Sequence, residues 1–325
     1  MMKRKTKQIL FLIGVAILVV GGILFFVLRD DKESYSGDYE ESNRKNTIVY
    51  GSKEYQYNEH LSNYLFMGID TREPVEEYET RENQGRADAI FLLSYDRVKK
   101  TVRCVSIPRD TMTNIRVITI DGTDTGTTRE HINMQYAFGD GKEGSCRLMK
   151  EAVSGLLYDV PIQGYCALNM DGIPVAVDEL GGVEMVLSDD SMADVYPEYV
   201  KGAKVTVTKE NAEQFIRHRD INEAQSALVR TNRQKELMKA VSECTRDKSA
   251  ENPDFIVQLY ESLKPYMVSN IGNDVLADLS EAKFNSENGV IDIPGQGVEG
   301  EQHDEYHVDD EKLYELVLQM FYEEV

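Results

Sequence analysis

The sequence predicts a layered α/β domain tethered to a membrane by one N-terminal span. Three observations carry this reading: an uncharged stretch from Ile9 to Leu28 behind a basic tail, short apolar runs with the length of buried strands, and apolar stripes at helical spacing that alternate with those runs. Lys3, Arg4, Lys5 and Lys7 mark residues 1–8 as a cytoplasmic tail. Residues 9–28 supply the roughly 20 apolar positions that a helix needs to cross the bilayer, more than the h-region of a cleaved signal, and no small-x-small site follows them. The stretch is therefore expected to be a signal-anchor, with the positive charge inside and everything after it outside the cytoplasm. Residues 29–60, polar and without sustained periodicity, read as an extracellular stalk.

From residue 61 the elements follow one another. Asn63 to Met67 reads as a buried strand that delivers Asp70 and Arg72 into the next loop. Ala89 to Tyr95 and Thr101 to Ile107 are apolar and β-branched runs joined by DRVKK, the length of a hairpin connection. In an antiparallel pair the start of one strand lies beside the end of the next, so Arg86 and Asp88 are expected at the same sheet edge as Arg109 and Asp110. Cys146 to Tyr158 has helical spacing, Tyr165 to Leu168 is a strand, Asp171 to Leu180 a helix closed by Gly181, and Val183 to Leu187 a strand. Thr208 caps a helix ending near Arg217, where the helix dipole favours cations. A helix from Ser226 to Cys244 places Arg230, Arg233 and Gln234 at i, i+3 and i+4 on one face. Residues 246–325 offer helices at Pro253 to Pro265, Asn273 to Lys283 and Asp309 to Tyr322, with a Gly/Pro loop, IPGQGVEG, between the last two.

Charge narrows the function. The 57 acidic residues outnumber the 36 Lys and Arg, giving a net charge of -21, which repels a polyanionic duplex and argues against nucleic acid as a partner. Against that background five motifs pair arginine with acid or amide: GIDTR at 68–72, GRADA at 85–89, SIPRD at 106–110, RHRD at 217–220 and RTNRQ at 230–234. A guanidinium fork matches phosphate oxygens two at a time, and carboxylates hold a hard divalent cation against the same phosphates, so a metal pyrophosphate suits the set. Singly, each motif reads as a solvated ion pair worth about 0 to 1 kcal/mol; Asp70 reads as a turn residue, Asp110 as a cap and His218 as a rim residue. It is the series that points to a site. The four cysteines, Cys104, Cys146, Cys166 and Cys244, form no CxxC pair, which argues against metal ligation and leaves one bridge or buried thiols open.

The order NYLFMGIDTR, GRADAIFLLSYD, VSIPRDT, HINMQYAFG, ELGGVEM, RHRD, RTNRQ resembles the LytR-CpsA-Psr family of cell-wall glycopolymer ligases, over roughly 61–245. The resemblance implies an α/β/α sandwich with a central mixed sheet and a slot for a prenyl chain, with residues 246–325 as a C-terminal extension packed on or continuous with that domain. It also implies transfer of an anionic glycopolymer, teichoic acid or capsule, from a polyprenyl-pyrophosphate carrier to a peptidoglycan hydroxyl, in a Gram-positive-type envelope. By motif, Asp70 and Asp88 resemble the family's Mg²⁺ carboxylates, with Mn²⁺ as a substitute. Arg72, Arg86, Arg109, Arg217, Arg219, Arg230, Arg233 and Gln234 resemble its pyrophosphate cradle. Arg109, Asp70 and Asp88 are then the catalytic set, Asp70 being the favoured acceptor for the hydroxyl proton. Phosphoryl transfer needs placement and charge neutralisation more than covalent help, which fits such a set.

Two positions depart from the family pattern: His131 stands where Lys is usual, and Ala227 where Asp commonly precedes the first Arg of RxxRQ. His131 weakens a fixed positive charge, and Ala227 removes a partner for Arg230. The same cradle also serves hydrolysis of the prenyl pyrophosphate, or a non-catalytic lipid-phosphate-binding regulator. Selectivity for the sugar is expected in the loops at 73–84 and 117–130.

Overall fold

The computed structural model describes residues 47–72, 74–75, 85–218 and, with interruptions, 233–325. The expected span at 9–28 and most of the expected stalk lie outside the described residues. Among the described residues, no helix is long and apolar enough to cross a membrane.

The chain enters through a hairpin, β1 (Ile48–Tyr50) and β2 (Lys53–Tyr57), where the sequence reading placed stalk. Tyr55 and Tyr57, two positions apart, give β2 a strand period inside an otherwise polar composition. The central strands β3 (Leu61–Ile69), β4 (Ala87–Asp96) and β5 (Thr101–Ser106) form an antiparallel meander, whose β4–β5 hairpin is the one that the two apolar runs and the DRVKK connection predict. β3 and β4 read as near-continuous apolar runs because both their faces are covered. Tyr64, Phe66, Phe91 and Leu93 join one apolar cluster and Leu65, Met67, Ile90 and Leu92 the other.

After β5 the chain makes a second hairpin, β6 (Met112–Ile118) and β7 (Asp124–His131), through much of the stretch expected to be a selectivity loop. Alternation is weak there, since β7 is largely solvated. The short helix α1 (Met134–Ala137) and the longer α2 (Glu143–Leu156) follow. α2 buries Cys146, Met149, Ala152 and Val153 on one face, the stripe its spacing predicts. β8 (Gly164–Asn169) then lies parallel to β3. α3 (Gly172–Glu179) ends before Gly181, whose φ of +71° lets the chain turn into the hairpin of β9 (Val183–Val186) and β10 (Lys204–Val207). Thr208 opens α4 (Lys209–Arg217), and the Asn211 carboxamide reaches back to accept from the Thr208 N–H at 2.8 Å.

The C-terminal part belongs to the same body. α5 (Phe255–Leu263) leads into β11 (Met267–Ser269), antiparallel to β8. β12 (Lys283–Phe284) and β13 (Val290–Asp292) both pair in parallel with the free edge of β5. The central sheet therefore has seven strands in the order β11-β8-β3-β4-β5, with β12 and β13 sharing the last place. The expected Gly/Pro loop instead contributes β14 (Gly295–Glu299), which pairs with β15 (Asp304–Val308). α6 (Asp310–Phe321), capped by Asp309, ends in β16 (Tyr322–Glu324), which pairs with β2 and closes the described chain on itself.

Helices cover both faces, giving three layers. α3, α4, α5 and helical residues such as Leu237 and Val241 pack on Tyr64, Phe66 and Phe91. α1, α2 and α6 pack on Leu65, Met67 and Leu92. All four cysteines are free thiols, three of them buried.

Candidate functional site

The ends of β3 and β5 and the start of β4 meet at one end of the sheet, and the sequence places an acid and an arginine at or just beyond each. The join is irregular for a reason. Gly68 pairs with Ala89 and Ile69 with Ala87, so Asp88 is an extra residue with no partner across the ladder. A bulge of this kind turns a side chain out of the alternation, which frees Asp88 from the sheet's in-and-out pattern. Gly68 permits the close approach, because a Cβ there would lie 2.8 Å from that of Ala89.

Asp70 is held by the neighbouring strand. Its backbone N–H donates to the Arg86 carbonyl at 3.1 Å, and its Oδ1 accepts from the Arg86 N–H. Gly85 makes this crossing feasible, with a φ of +71° and no room for a side chain: a Cβ would sit 2.3 Å from Thr71 Cγ2 and 2.9 Å from Asp70 Oδ1. Burial raises the Asp70 carboxyl above the ordinary aspartate value, the Arg86 N–H pulls it down, and the negative charge of Asp88 pushes it up again.

Arg109 donates from Nη1 to Asp88 Oδ1 at 2.8 Å, and its Nε lies 3.3 Å from Asp110 Oδ1. Half of its side chain stays exposed, so the fork lies at the surface of the site. The backbone behind it is fixed: the Asn133 N–H donates to the Arg109 carbonyl at 3.2 Å, and the Ala87 N–H to the Asn133 carbonyl at 3.3 Å. The HIN segment thereby ties the start of β4 to the loop after β5. Burial also raises the Asp110 carboxyl, against the pull of Arg109 and His131.

A second group stands beside the first. Arg72 reaches α4, where it makes a two-pronged contact with Glu213, one prong at 3.0 Å, and it also approaches Asp171 at 3.5 Å. Arg217, one turn along α4, donates to the same Glu213 at 2.9 Å. The loop after β3 is anchored to that after β8 by the Met170 N–H, which donates to the Thr71 carbonyl at 3.1 Å.

The expected residues thus divide. The structure brings together Asp70, Arg86, Asp88 and Arg109 at one strand end, and Arg72 with Arg217 through Glu213. Arg233, expected in the cradle, occupies a different place: it is 2% exposed and gives its fork to the Phe215 and His218 carbonyls and to Ser191 Oγ. Stacked over the Phe215 ring at 5.6 Å, it secures the C-terminal end of α4 from below. Arg219, Arg230, Gln234 and Ala227 lie outside the described residues. His131 holds Glu130 at 2.7 Å through Nδ1 and faces the Asp304 carbonyl at 3.2 Å through Nε2.

Sequence reasoning missed three participants. Glu213 sits four residues before Arg217 on a helix, which is a legible i, i+4 pair; its link to Arg72 is not legible, since 141 positions separate the two. Asp171 was expected only as the start of a helix. β15 was not foreseen at all, yet the Tyr306 N–H donates to the Asp110 carbonyl at 2.8 Å and so braces the Arg109 loop.

Among the described residues no cluster of three or more His, Cys, Asp or Glu could hold a metal by itself. Two neighbouring carboxylates suit Mg²⁺, which keeps several waters and takes its other ligands from substrate phosphates. The push of Asp88 on Asp70 is a repulsion that a cation between them would relieve.

A model of the LytR_cpsA_psr family matches residues 24–320. Among curated proteins, the chain is 29% identical over 276 residues to the polyisoprenyl-teichoic acid–peptidoglycan teichoic acid transferase TagV of Bacillus subtilis (strain 168), covering 82% of this chain and 64% of that one. It is 30% identical over 177 residues to TagU of Halalkalibacterium halodurans, covering 54% of this chain and 51% of that one. The chain therefore spans about half to just under two thirds of the length of these relatives. Among solved structures it is similar to the crystal structure of B. subtilis TagV, with a TM-score of 0.56 at 25% identity, covering 81% of this chain and 96% of that one.

Proposed function

Because the chain belongs to the LytR_cpsA_psr family, we propose that it transfers an anionic glycopolymer of the teichoic acid class from a polyprenyl-pyrophosphate carrier to a peptidoglycan hydroxyl. One observation carries the reading: Asp70, Asp88 and Arg109, from three strands, converge at a single end of the sheet beside an exposed pair of arginines, Arg72 and Arg217. The names of the relatives, both teichoic acid transferases acting between a polyisoprenyl carrier and peptidoglycan, support the substrate class. We assign residues 9–28 as the membrane anchor and place the domain outside the cell, facing both substrates.

In this reading Arg109 binds the phosphate that stays with the polymer, and Arg72, Arg86 and Arg217 bind the prenyl phosphate as it develops charge on leaving; Arg219, Arg230 and Gln234 join them by motif. Asp70 and Asp88 would hold Mg²⁺, which when bound would neutralise charge on the diphosphate. The acceptor oxygen attacks phosphorus in line, the bond to the prenyl phosphate breaks, and the hydroxyl proton passes to the Asp70 carboxylate. Asp88 keeps the Arg109 fork aimed through its 2.8 Å contact.

The test is reconstitution of the full chain with a lipid-linked glycopolymer, Mg²⁺ and peptidoglycan. A phosphodiester-linked product is expected. Release of free polymer phosphate with peptidoglycan present would assign hydrolysis in its place, and binding of the carrier without cleavage would assign a regulator.

A further inference from the structure

Glu213 lies in the cradle as an anion of the protein's own. Its two oxygens accept from both ends of the Arg72 fork and from Arg217, the way phosphate oxygens meet arginines. The helical pair Glu213–Arg217 would form on any exposed helix face. Arg72, arriving from the far end of β3, makes it a three-residue cluster, and Asp171 at the start of α3 stands 3.5 Å from the same guanidinium. Two acids thus offset two arginines, and the cluster as it stands exerts little net pull on an incoming anion. Nor is Glu213 needed for packing: Ala212, Phe215 and Ile216 form the buried face of α4, while Glu213 is on the open side with 41% of its side chain exposed. The Arg72 hydrogen bonds hold its carboxyl below the ordinary glutamate value, which favours the anion.

We propose that Glu213 is a specificity-determining residue, a resident carboxylate that a phosphate ligand must displace from Arg72 and Arg217 before the cradle closes on it. The inference rests on the pyrophosphate reading of the site. Displacement favours ligands that bring several charged oxygens at once, so a diphosphate succeeds where a single phosphate competes poorly. Glu213 then serves selectivity at the expense of affinity, keeping abundant monophosphates out of a site open to solvent.

The probes are inorganic pyrophosphate and orthophosphate, titrated calorimetrically with Mg²⁺ into the full chain, into Glu213→Gln and into Glu184→Gln. Glu184, on β9, pairs with Lys204 of β10 and controls for the change in bulk charge. Glu213→Gln is expected to tighten orthophosphate about fivefold or more and pyrophosphate by less, narrowing the ratio between them, while Glu184→Gln changes neither. Unchanged or weaker binding of both probes by Glu213→Gln, with its melting profile intact, would overturn the proposal. If the wild-type chain bound neither probe, the pyrophosphate reading itself would fall, a separate outcome.

Discussion

Arg109 is the residue on which the proposed chemistry leans most and the fold least. Its side chain is half exposed and its partners are carboxylates of the site, while the backbone ties of its loop do not involve the guanidinium. Arg109→Ala is therefore expected to lower transfer by about 10²–10³-fold, the usual loss for one preorganised donor, with an unchanged melting profile. Wild-type turnover in a lipid-linked substrate assay would remove it from the mechanism. Asp70 gives a pH signature. Its folded value is raised above 3.8, so the fold disfavours the ionised form, and the penalty is absent in acid and fully present once pH exceeds that raised value. In metal-free buffer Asp70→Asn is expected to be more stable than wild type at pH 7, the gap closing as pH falls toward 3.8. Urea titrations at several pH values measure this; a gap that widens in acid would contradict the assigned cause.

At the scale of elements, α4 carries the second arginine group and is fixed at both ends by polar contacts. Asn211 accepts from the Thr208 N–H at 2.8 Å and donates to Tyr199 Oη at 3.0 Å, and Arg233 secures the other end. Asn211→Ala is expected to cost about 1–2 kcal/mol in urea unfolding at an unchanged slope. The cap at Thr208 was legible because polar-residue spacing at a helix start is a local matter. The bulge at Asp88 was not, since nothing in GRADA distinguishes an extra residue from a regular pleat until its partner strand is known. The same holds for Arg233. Its place in RTNRQ argues for a ligand, and only tertiary packing shows it spent on the carbonyls of Phe215 and His218.

For the whole molecule, the layered class and the β4–β5 hairpin were readable because those strands are strongly apolar and joined by a short connection. The strands supplied late, β11, β12 and β13, were hidden by being short and by pairing with partners more than 90 positions away. Residues 246–325, expected as an extension packed on or continuous with the domain, supply both edges of the sheet and, through Leu313, Val317, Met320 and Phe321, part of one of its two apolar faces. Phe321, fully buried, is expected to cost about 3–5 kcal/mol when replaced by alanine, a large share of a typical total of roughly 5–15 kcal/mol. Chemical unfolding measures it; a loss under about 1 kcal/mol would mean that the C-terminal helix is dispensable.

β3 also acts as a ruler. It begins at Leu61, a few positions after the hairpin where the described chain enters, and ends at Ile69, just before Asp70, so nine residues at about 3.3 Å each set the candidate site roughly 30 Å from the start of the strand. With an anchor at 9–28, an upright body would lift Asp70 clear of any diphosphate lying at the lipid headgroups. If the proposed anchor holds, catalysis asks the body to recline along the bilayer, and the number of residues between anchor and β1 becomes a kinetic parameter, setting how often the two meet.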